Sequence, residues 1–183
     1  MSDIAILKSM FKEEATEILE DHNGKKKVTL KELDLPVYSV TIYGMPNDDE
    51  VIILKADKFI SPNKIFKSSK GECKRADFVI IAERGNKKVI LCIEMKSKKG
   101  SLESEIIQQL KGATCFVAYC QEIGRLFWNQ KDFLKNYEYR FISIRDITVP
   151  KKPTRTSPTD IHDRPEKMLK INSPKYITFD SLI

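Results

Sequence analysis

Two strongly apolar runs separated by a short polar turn occupy the middle of the sequence. They cover residues 78–82 and 89–93, and Gly85-Asn86 lies between them. Gly-Asn is a favoured two-residue loop of β-hairpins, and runs rich in Val and Ile are typical of strands. The sequence therefore predicts an antiparallel hairpin in which Phe78 pairs with Ile93.

This hairpin is expected to bring three charged side chains together at the end of a buried surface. One residue beyond the apolar runs, Asp77 stands opposite Glu94, and Lys96 shares their face because side chains alternate along a strand. Two neighbouring carboxylates repel each other unless a cation lies between them or Lys96 neutralises one of them. Mg²⁺ and Mn²⁺ prefer carboxylate and carbonyl oxygens as ligands. The pattern therefore indicates a site for either ion, and a salt bridge of Lys96 with Asp77 or Glu94 is the alternative.

Other periodic patterns predict an α/β domain with a mixed central β-sheet flanked by helices. Apolar residues at helical spacing predict one amphipathic helix from Ile4 to Ile18 and a second helix that Ser101 caps. The core stripe of the second helix is expected to consist of Leu102, Ile106, Leu110, Ala113 and Val117. Strands are expected at residues 37–43, 51–55, 77–82, 88–96 and 139–147, with a last edge strand at 175–179.

The sequence also suggests a boundary near its C-terminal end. We expect a core domain of residues 1–147 and a proline-rich, basic extension of residues 148–183. Five of the eight prolines lie between Pro150 and Pro174, and this stretch is expected to have little regular structure. The Lys25-Lys26-Lys27 run is expected in a solvated turn.

Composition argues against several classes of site. The four cysteines have no CxxC spacing and the chain has only two histidines, so zinc sites, disulfide frameworks and histidine-dependent nucleophilic catalysis are poorly supported. The seven glycines form no phosphate-binding loop. No apolar run approaches the roughly 20 residues that cross a bilayer, and the first residues lack the pattern of a secretion signal. We therefore expect a cytoplasmic protein that does not bind membranes.

The charged constellation resembles that of the PD-(D/E)XK nuclease superfamily, which has the restriction-endonuclease-like fold. Asp77 is followed after sixteen residues by Glu94-Met95-Lys96, and an amphipathic helix comes next. By element order the resemblance extends over residues 1–147. It implies that Asp77 and Glu94 bind Mg²⁺ or Mn²⁺ and that the main-chain carbonyl of Met95 adds a ligand. It also implies that Lys96 serves the attacking water.

Two residues on the predicted helices are further candidates. At about 100° per residue, Gln109 lies about 60° from the centre of the core stripe of the second helix, whereas Gln108 points nearly opposite it. Some members of the superfamily use a glutamine here within a Gln-hydrophobic-x-x-Tyr motif, whose tyrosine this chain lacks. Glu14 lies at the edge of the apolar face of the first helix, from which several similar nucleases take a further metal ligand. An ordinary exposed carboxylate is the alternative for Glu14.

Basic residues concentrate in one segment. Residues 55–100 carry 13 basic and 5 acidic side chains, whereas residues 1–54 carry 6 and 11. Such a segment can form the positive surface that binds a phosphate-rich partner, and a solubilising lysine-rich surface is the alternative. The candidate nucleic-acid-binding residues are Lys67, Lys70, Lys74, Arg75, Lys98 and Lys99.

Together these features predict a Mg²⁺- or Mn²⁺-dependent nuclease that hydrolyses phosphodiester bonds in DNA. The candidate catalytic residues are Asp77, Glu94, Lys96 and Gln109, and the candidate metal ligands are Asp77, Glu94, Met95 and Glu14. The resemblance is compatible with a role in restriction, defence or repair and with a homodimer. One alternative is an inactive nuclease-fold module that binds nucleic acid or a protein partner. Another is a basic adaptor for an acidic protein.

Overall fold

The computed structural model describes residues 1–32, 38–97, 102–146, 161–174 and 176–183, and within these ranges the chain forms two α-helices and ten strands. The helices are α1 (Asp3–Met10) and α2 (Glu103–Phe127). The strands are β1 (Thr16–Glu17), β2 (Glu20–His22), β3 (Lys25–Glu32), β4 (Tyr38–Met45), β5 (Val51–Lys55), β6 (Phe78–Arg84), β7 (Lys87–Lys96), β8 (Glu138–Arg145), β9 (Leu169–Asn172) and β10 (Tyr176–Thr178).

The strands form two mixed sheets. The larger sheet has six strands in the order β1-β5-β6-β7-β8-β9, in which β8 and β9 run parallel to β7 and the other neighbours are antiparallel. The smaller sheet has four strands in the order β10-β4-β3-β2, with β10 parallel to β4. The architecture is therefore α/β, as predicted, with more strands than the sequence patterns indicated.

Both faces of the six-stranded sheet are covered. On β6, Val79 and Ile81 pack towards α1 and α2, whereas Phe78 and Ile80 pack towards the four-stranded sheet. This double burial accounts for the nearly continuous apolar sequence of the central strands. The expected flanking by helices is wrong in one respect, because both helices lie on the same face and the second sheet covers the other.

The central hairpin has the predicted register. β6 pairs antiparallel with β7, with Phe78 opposite Ile93. Gly85 in the turn has a φ of 59°, a conformation that glycine adopts without the steric cost of a side chain. The pairing ends at the pair of Phe78 and Ile93, so that Asp77 and Glu94 are the next residues on the two arms of the hairpin.

The first helix is much shorter than predicted. α1 ends at Met10, where Phe11 takes an extended conformation and its N–H donates to the Leu7 carbonyl. After a 3₁₀ turn at Glu13–Ala15, the chain enters the larger sheet as β1 and the smaller sheet as β2. The predicted continuation of the helix to Ile18 is wrong, since strand pairing replaces it, and Ile18 is exposed.

The second helix follows its predicted stripe over most of its length. Four of the five stripe residues are buried against the sheet, namely Ile106, Leu110, Ala113 and Val117. Leu102 instead precedes the helix and is exposed. Glu103 and Glu105 lie in the first turn, where the helix dipole favours negative charge. Ser101, the predicted cap, lies outside the described residues.

Besides β1 and β2, two further strands, β3 and β9, were not anticipated. The Lys25-Lys26-Lys27 run begins β3, and the turn lies instead at Asn23 and Gly24, both of which have positive φ. β9 arises from the proline-rich stretch and extends the larger sheet beside β8. β10 is the predicted edge strand. Residues 147–160, which include much of the predicted extension, lie outside the described residues. Within the described part of the chain, no helix is long and apolar enough to span a bilayer.

Candidate active site at the end of the larger sheet

The three charged residues of the hairpin lie at one end of the six-stranded sheet. Glu94 and Lys96 are near the end of β7, and Asp77 immediately precedes β6. Glu94 is 0% exposed, and its Oε1 forms an ion pair with the ammonium of Lys96. The other oxygen, Oε2, has no hydrogen-bond partner among the described residues. Burying a carboxylate oxygen without a partner is energetically costly.

Asp77 is held by the main chain of the neighbouring strand. The N–H of Met95 donates to Asp77 Oδ2 over 2.6 Å, whereas the Met95 side chain is buried between the two sheets. Burial raises the pKa of Asp77 to about 7. The Met95 N–H and Lys96 oppose this rise, and Glu32 and Asp57 add to it. Asp77 therefore changes its protonation state near neutral pH.

The site holds the two carboxyl groups of Asp77 and Glu94 beside the ammonium of Lys96, and the pKa values of both carboxyl groups are raised. Burial raises the pKa of Glu94 well above its ordinary value, and the charge of Asp77 raises it further against the opposing effect of Lys96. Burial by itself lowers the pKa of Lys96, but the carboxylates of Glu94, Asp77 and Glu32 outweigh burial and hold this pKa above its ordinary value. The ammonium of Lys96 thus remains charged at neutral pH. A second cation would allow both carboxylates to ionise.

β8 adds two polar side chains to the same face. In the parallel pairing of β7 with β8, Ser143 stands beside Glu94 and Arg145 beside Lys96. Ser143 is fully buried, and Arg145 Nε donates to Ser143 Oγ over 3.4 Å. Neither residue was predicted from the sequence, although polar residues alternate with isoleucines at the end of β8 and so indicated a shared face.

A cleft of about 250 Å³ opens beside Asp77, where the ends of the two sheets approach each other. It is lined by Glu17, Lys31, Glu32, Lys55, Asp57, Lys58, Asp77 and Phe78. Glu32, the last residue of β3, raises the pKa of both Asp77 and Glu94 by its negative charge. Glu32 was not predicted as a site residue because β3 was not predicted. The available signal was the alternation of Val28 and Leu30 with polar residues.

The two helix candidates are placed differently from expectation. Glu14 lies in the 3₁₀ turn beyond α1, with its side chain 81% exposed and 4.0 Å from the ammonium of Lys12. Its expected place at the edge of a helical apolar face is wrong because the helix ends before it. Gln109 is half-buried on α2, and its catalytic role stays a prediction. Gln108, expected to point away from the protein, packs against Gly71.

The predicted nucleic-acid-binding residues divide into exposed and anchored groups. Lys67 and Lys70 are exposed on the connection between β5 and β6. Lys98 and Lys99 lie outside the described residues. The exposed pair therefore remains available to a polyanionic partner.

The anchored group consists of Lys74 and Arg75. Lys74 Nζ lies 3.4 Å from Glu105 Oε1 on α2. The Arg75 guanidinium lies 5.1 Å from the centre of the Phe59 ring and donates to the Lys74 carbonyl over 2.7 Å. Both side chains hold the β5–β6 connection against the helix.

The donor groups fit Mg²⁺ or Mn²⁺. Across the described residues, no three His, Cys, Asp or Glu side chains form a ready metal-binding group. Mg²⁺, however, commonly binds through one or two carboxylates and keeps several waters. Asp77 and Glu94 supply two carboxylates, and Oε2 of Glu94 is the unpartnered oxygen that such an ion would engage.

Comparisons with protein-family models, with curated proteins and with solved structures found no match to this chain. Its function therefore has to be inferred from its own residues and their geometry.

Proposed function

We propose that this chain is a metal-dependent nuclease of the PD-(D/E)XK type that hydrolyses phosphodiester bonds in DNA. The observation that carries the proposal is the buried Glu94, one of whose oxygens pairs with Lys96 while the other has no partner in the described structure. A chain without catalytic use for this group would gain stability from an apolar residue in its place. Asp77, at the end of the hairpin with Glu94, supplies the second carboxylate.

The order of elements supports the same proposal. α1, the three strands β5 to β7, α2 and β8 follow one another in the order that the resemblance implies. β8 returns parallel to β7, so the polar ends of both strands reach the same end of the sheet. The four-stranded sheet is an addition that covers the face opposite the helices.

Each site residue has a distinct role in this proposal. Asp77 and Glu94 hold Mg²⁺ or Mn²⁺, and the Met95 main-chain carbonyl is the third ligand that the resemblance implies. Such an ion would supply Lewis-acid chemistry: it would polarise the phosphodiester and lower the pKa of a water. Because its pKa is raised, Lys96 stays protonated and donates a hydrogen bond to the attacking water or to a phosphate oxygen. A base role for Lys96 is disfavoured for the same reason.

The ion pair itself favours a second candidate function. Lys96 already contacts Glu94, and Met95 already satisfies one oxygen of Asp77. These contacts are those of the salt-bridge alternative, in which the fold binds nucleic acid or a protein partner without catalysis. The two candidates differ in whether a divalent ion binds and whether phosphodiester bonds are cut.

Cleavage assays separate the two candidates. The protein is incubated with plasmid, linear duplex, single-stranded DNA and RNA, each with Mg²⁺, Mn²⁺ or EDTA. We expect cutting of DNA with either ion and none in EDTA. Asp77→Asn and Glu94→Gln should abolish cutting while folding survives, and Lys96→Ala should lower the rate by about 10²- to 10⁴-fold.

The matched control is Glu138→Gln, which removes a carboxylate from the opposite end of the same sheet. It should cut like wild type. Thermal melting gives a second readout, since Mn²⁺ should raise the melting temperature of wild type but not of Glu94→Gln. If wild type never cuts, or if all three site variants cut normally, the nuclease proposal is wrong.

A further inference from the structure

The connection between β5 and β6 exposes apolar side chains that proteins usually bury. Ile60, Ile65 and Phe66 are 88%, 81% and 54% exposed. Single exposed apolar residues are ordinary, whereas three on one short connection indicate a contact surface. We refer to residues 58–73 as the β5–β6 loop.

The β5–β6 loop is held in place although its apolar side chains face outward. Within the loop, Ser61 Oγ donates to the Cys73 carbonyl over 2.8 Å, which ties its two ends together. Phe59 packs on Phe116 of α2, with ring centres 5.2 Å apart. Gly71 lies so close to α2 that a Cβ there would meet the Gln108 side chain. The exposed residues therefore sit on an anchored loop.

The loop has a net positive charge, and its lysine side chains form no ion pair in the described structure. The loop contains four lysines and one acidic residue, Glu72, whose Oε2 accepts a hydrogen bond from the Lys70 main-chain N–H over 2.8 Å. In the described structure none of the four forms an ion pair, whereas Lys55 and Lys74 on either side pair with Glu17 and Glu105. The four loop lysines are Lys58, Lys64, Lys67 and Lys70. A surface that combines unpaired lysines with exposed apolar groups suits a polyanion that also presents apolar faces.

The loop emerges beside the candidate active site. It begins just after β5, and β6 starts a few residues beyond its end, so both of its ends lie at the end of the sheet that carries Asp77. Lys58 lines the same cleft as Asp77. A strand bound along the loop can therefore continue into the cleft.

We propose that the β5–β6 loop binds nucleic acid with unpaired bases and makes this protein selective for single-stranded or forked substrates. The lysines contact phosphates, and Ile65 and Phe66 pack on base faces. In an intact duplex these faces are stacked inside the helix, and only unpaired bases offer them to a protein side chain. The inference rests on the proposed nuclease function and names its substrate class.

The test measures binding in EDTA, so that cleavage does not interfere. Fluorescence anisotropy with wild-type protein compares a blunt duplex, a forked duplex, single-stranded DNA and single-stranded RNA over a series of salt concentrations. Ile65→Ser/Phe66→Ser should bind forked and single-stranded DNA roughly tenfold more weakly and blunt duplex unchanged, since base stacking is lost. Lys64→Gln/Lys67→Gln/Lys70→Gln should weaken all substrates alike and flatten the salt dependence.

The matched control is Leu126→Ser/Phe127→Ser, which removes an exposed apolar pair from the C-terminal end of α2. It should bind every substrate like wild type. Circular dichroism checks the fold of each variant. Should the loop variant fail to fold, Phe66→Trp offers a second measurement, because its fluorescence should be quenched by single-stranded DNA and not by blunt duplex.

Three results would overturn the inference and leave the nuclease proposal standing. The first is that wild type binds blunt duplex as tightly as forked DNA. The second is that the Ile65→Ser/Phe66→Ser variant keeps the wild-type preference for forked DNA over blunt duplex. Loss of binding to phosphatidylserine vesicles, but not to forked DNA, in that variant would assign the loop to a membrane surface. In these cases cleavage by wild type still supports the nuclease. Absence of both nucleic-acid binding and cleavage would reject the inference and the nuclease together.

Discussion

Burial of Asp77 makes folding itself sensitive to pH. In the folded protein burial raises the pKa of this carboxyl to about 7, whereas in an unfolded chain it lies near 4, as is usual for aspartate. Between these values the folded state holds a proton that the unfolded chain releases. The resulting stabilisation is complete below about pH 4 and is lost as the pH rises through about 7.

Urea unfolding in EDTA between pH 4 and pH 8 measures this effect. The free energy of unfolding should fall with rising pH, by at most about 1.4 kcal/mol per pH unit for one proton. In Asp77→Asn the free energy of unfolding should fall less steeply with rising pH. Glu94, whose pKa is also raised, should account for part of the pH dependence that this variant keeps. Glu138→Gln is the control and should keep the wild-type slope. Equal slopes in wild type and Asp77→Asn would show that Asp77 does not cause the pH dependence of stability.

At the scale of elements, α2 and the β5–β6 connection are fitted together at one glycine. An alanine Cβ at Gly112 would lie 2.0 Å from the Lys74 carbonyl oxygen, which is main chain and cannot move aside cheaply. Helix propensity alone favours alanine over glycine by about 1 kcal/mol. The steric clash therefore predicts that Gly112→Ala destabilises the protein, whereas helix propensity predicts that it stabilises the protein.

We expect Gly112→Ala to lower the free energy of unfolding by about 1–3 kcal/mol, as overpacking does. Denaturant titration compares it with Ser104→Ala, an exposed position in the first turn of the same helix. Ser104→Ala should be neutral or slightly stabilising. A stabilised Gly112→Ala would show that α2 does not approach the connection this closely.

At the scale of the whole molecule, the last residues of the chain contribute to the core between the sheets. β9 extends the larger sheet, β10 extends the smaller one, and Phe179 is fully buried between them. The C-terminal residues thus contribute to both layers of the β structure.

Phe179→Ala should lower the free energy of unfolding by about 3–5 kcal/mol, the usual cost of removing a buried aromatic ring. Thermal or urea unfolding compares it with Tyr176→Ala, which truncates an aromatic side chain that is largely exposed on β10. The tyrosine variant should lose much less stability. Similar losses in both variants would contradict the placement of Phe179.

Local sequence patterns were sufficient to predict the central hairpin and most of α2. The Gly-Asn turn and the apolar runs on either side of it determined the register of β6 with β7, in which Asp77 and Glu94 adjoin the last paired residues. The stripe of α2 was equally predictable from Ile106 onwards. These features depend on neighbours in the sequence, so the sequence by itself contains the information.

Only the tertiary structure decided those features that depend on contacts between segments distant in the sequence. α1 stops at Met10 because the following residues pair with β5, and helical spacing alone cannot reveal that competition. Glu32 reaches the site only because the smaller sheet packs beneath the larger one. Likewise, only the anchoring of the β5–β6 loop to α2 leaves Ile65 and Phe66 exposed, since an apolar residue in a sequence pattern is otherwise expected in the core.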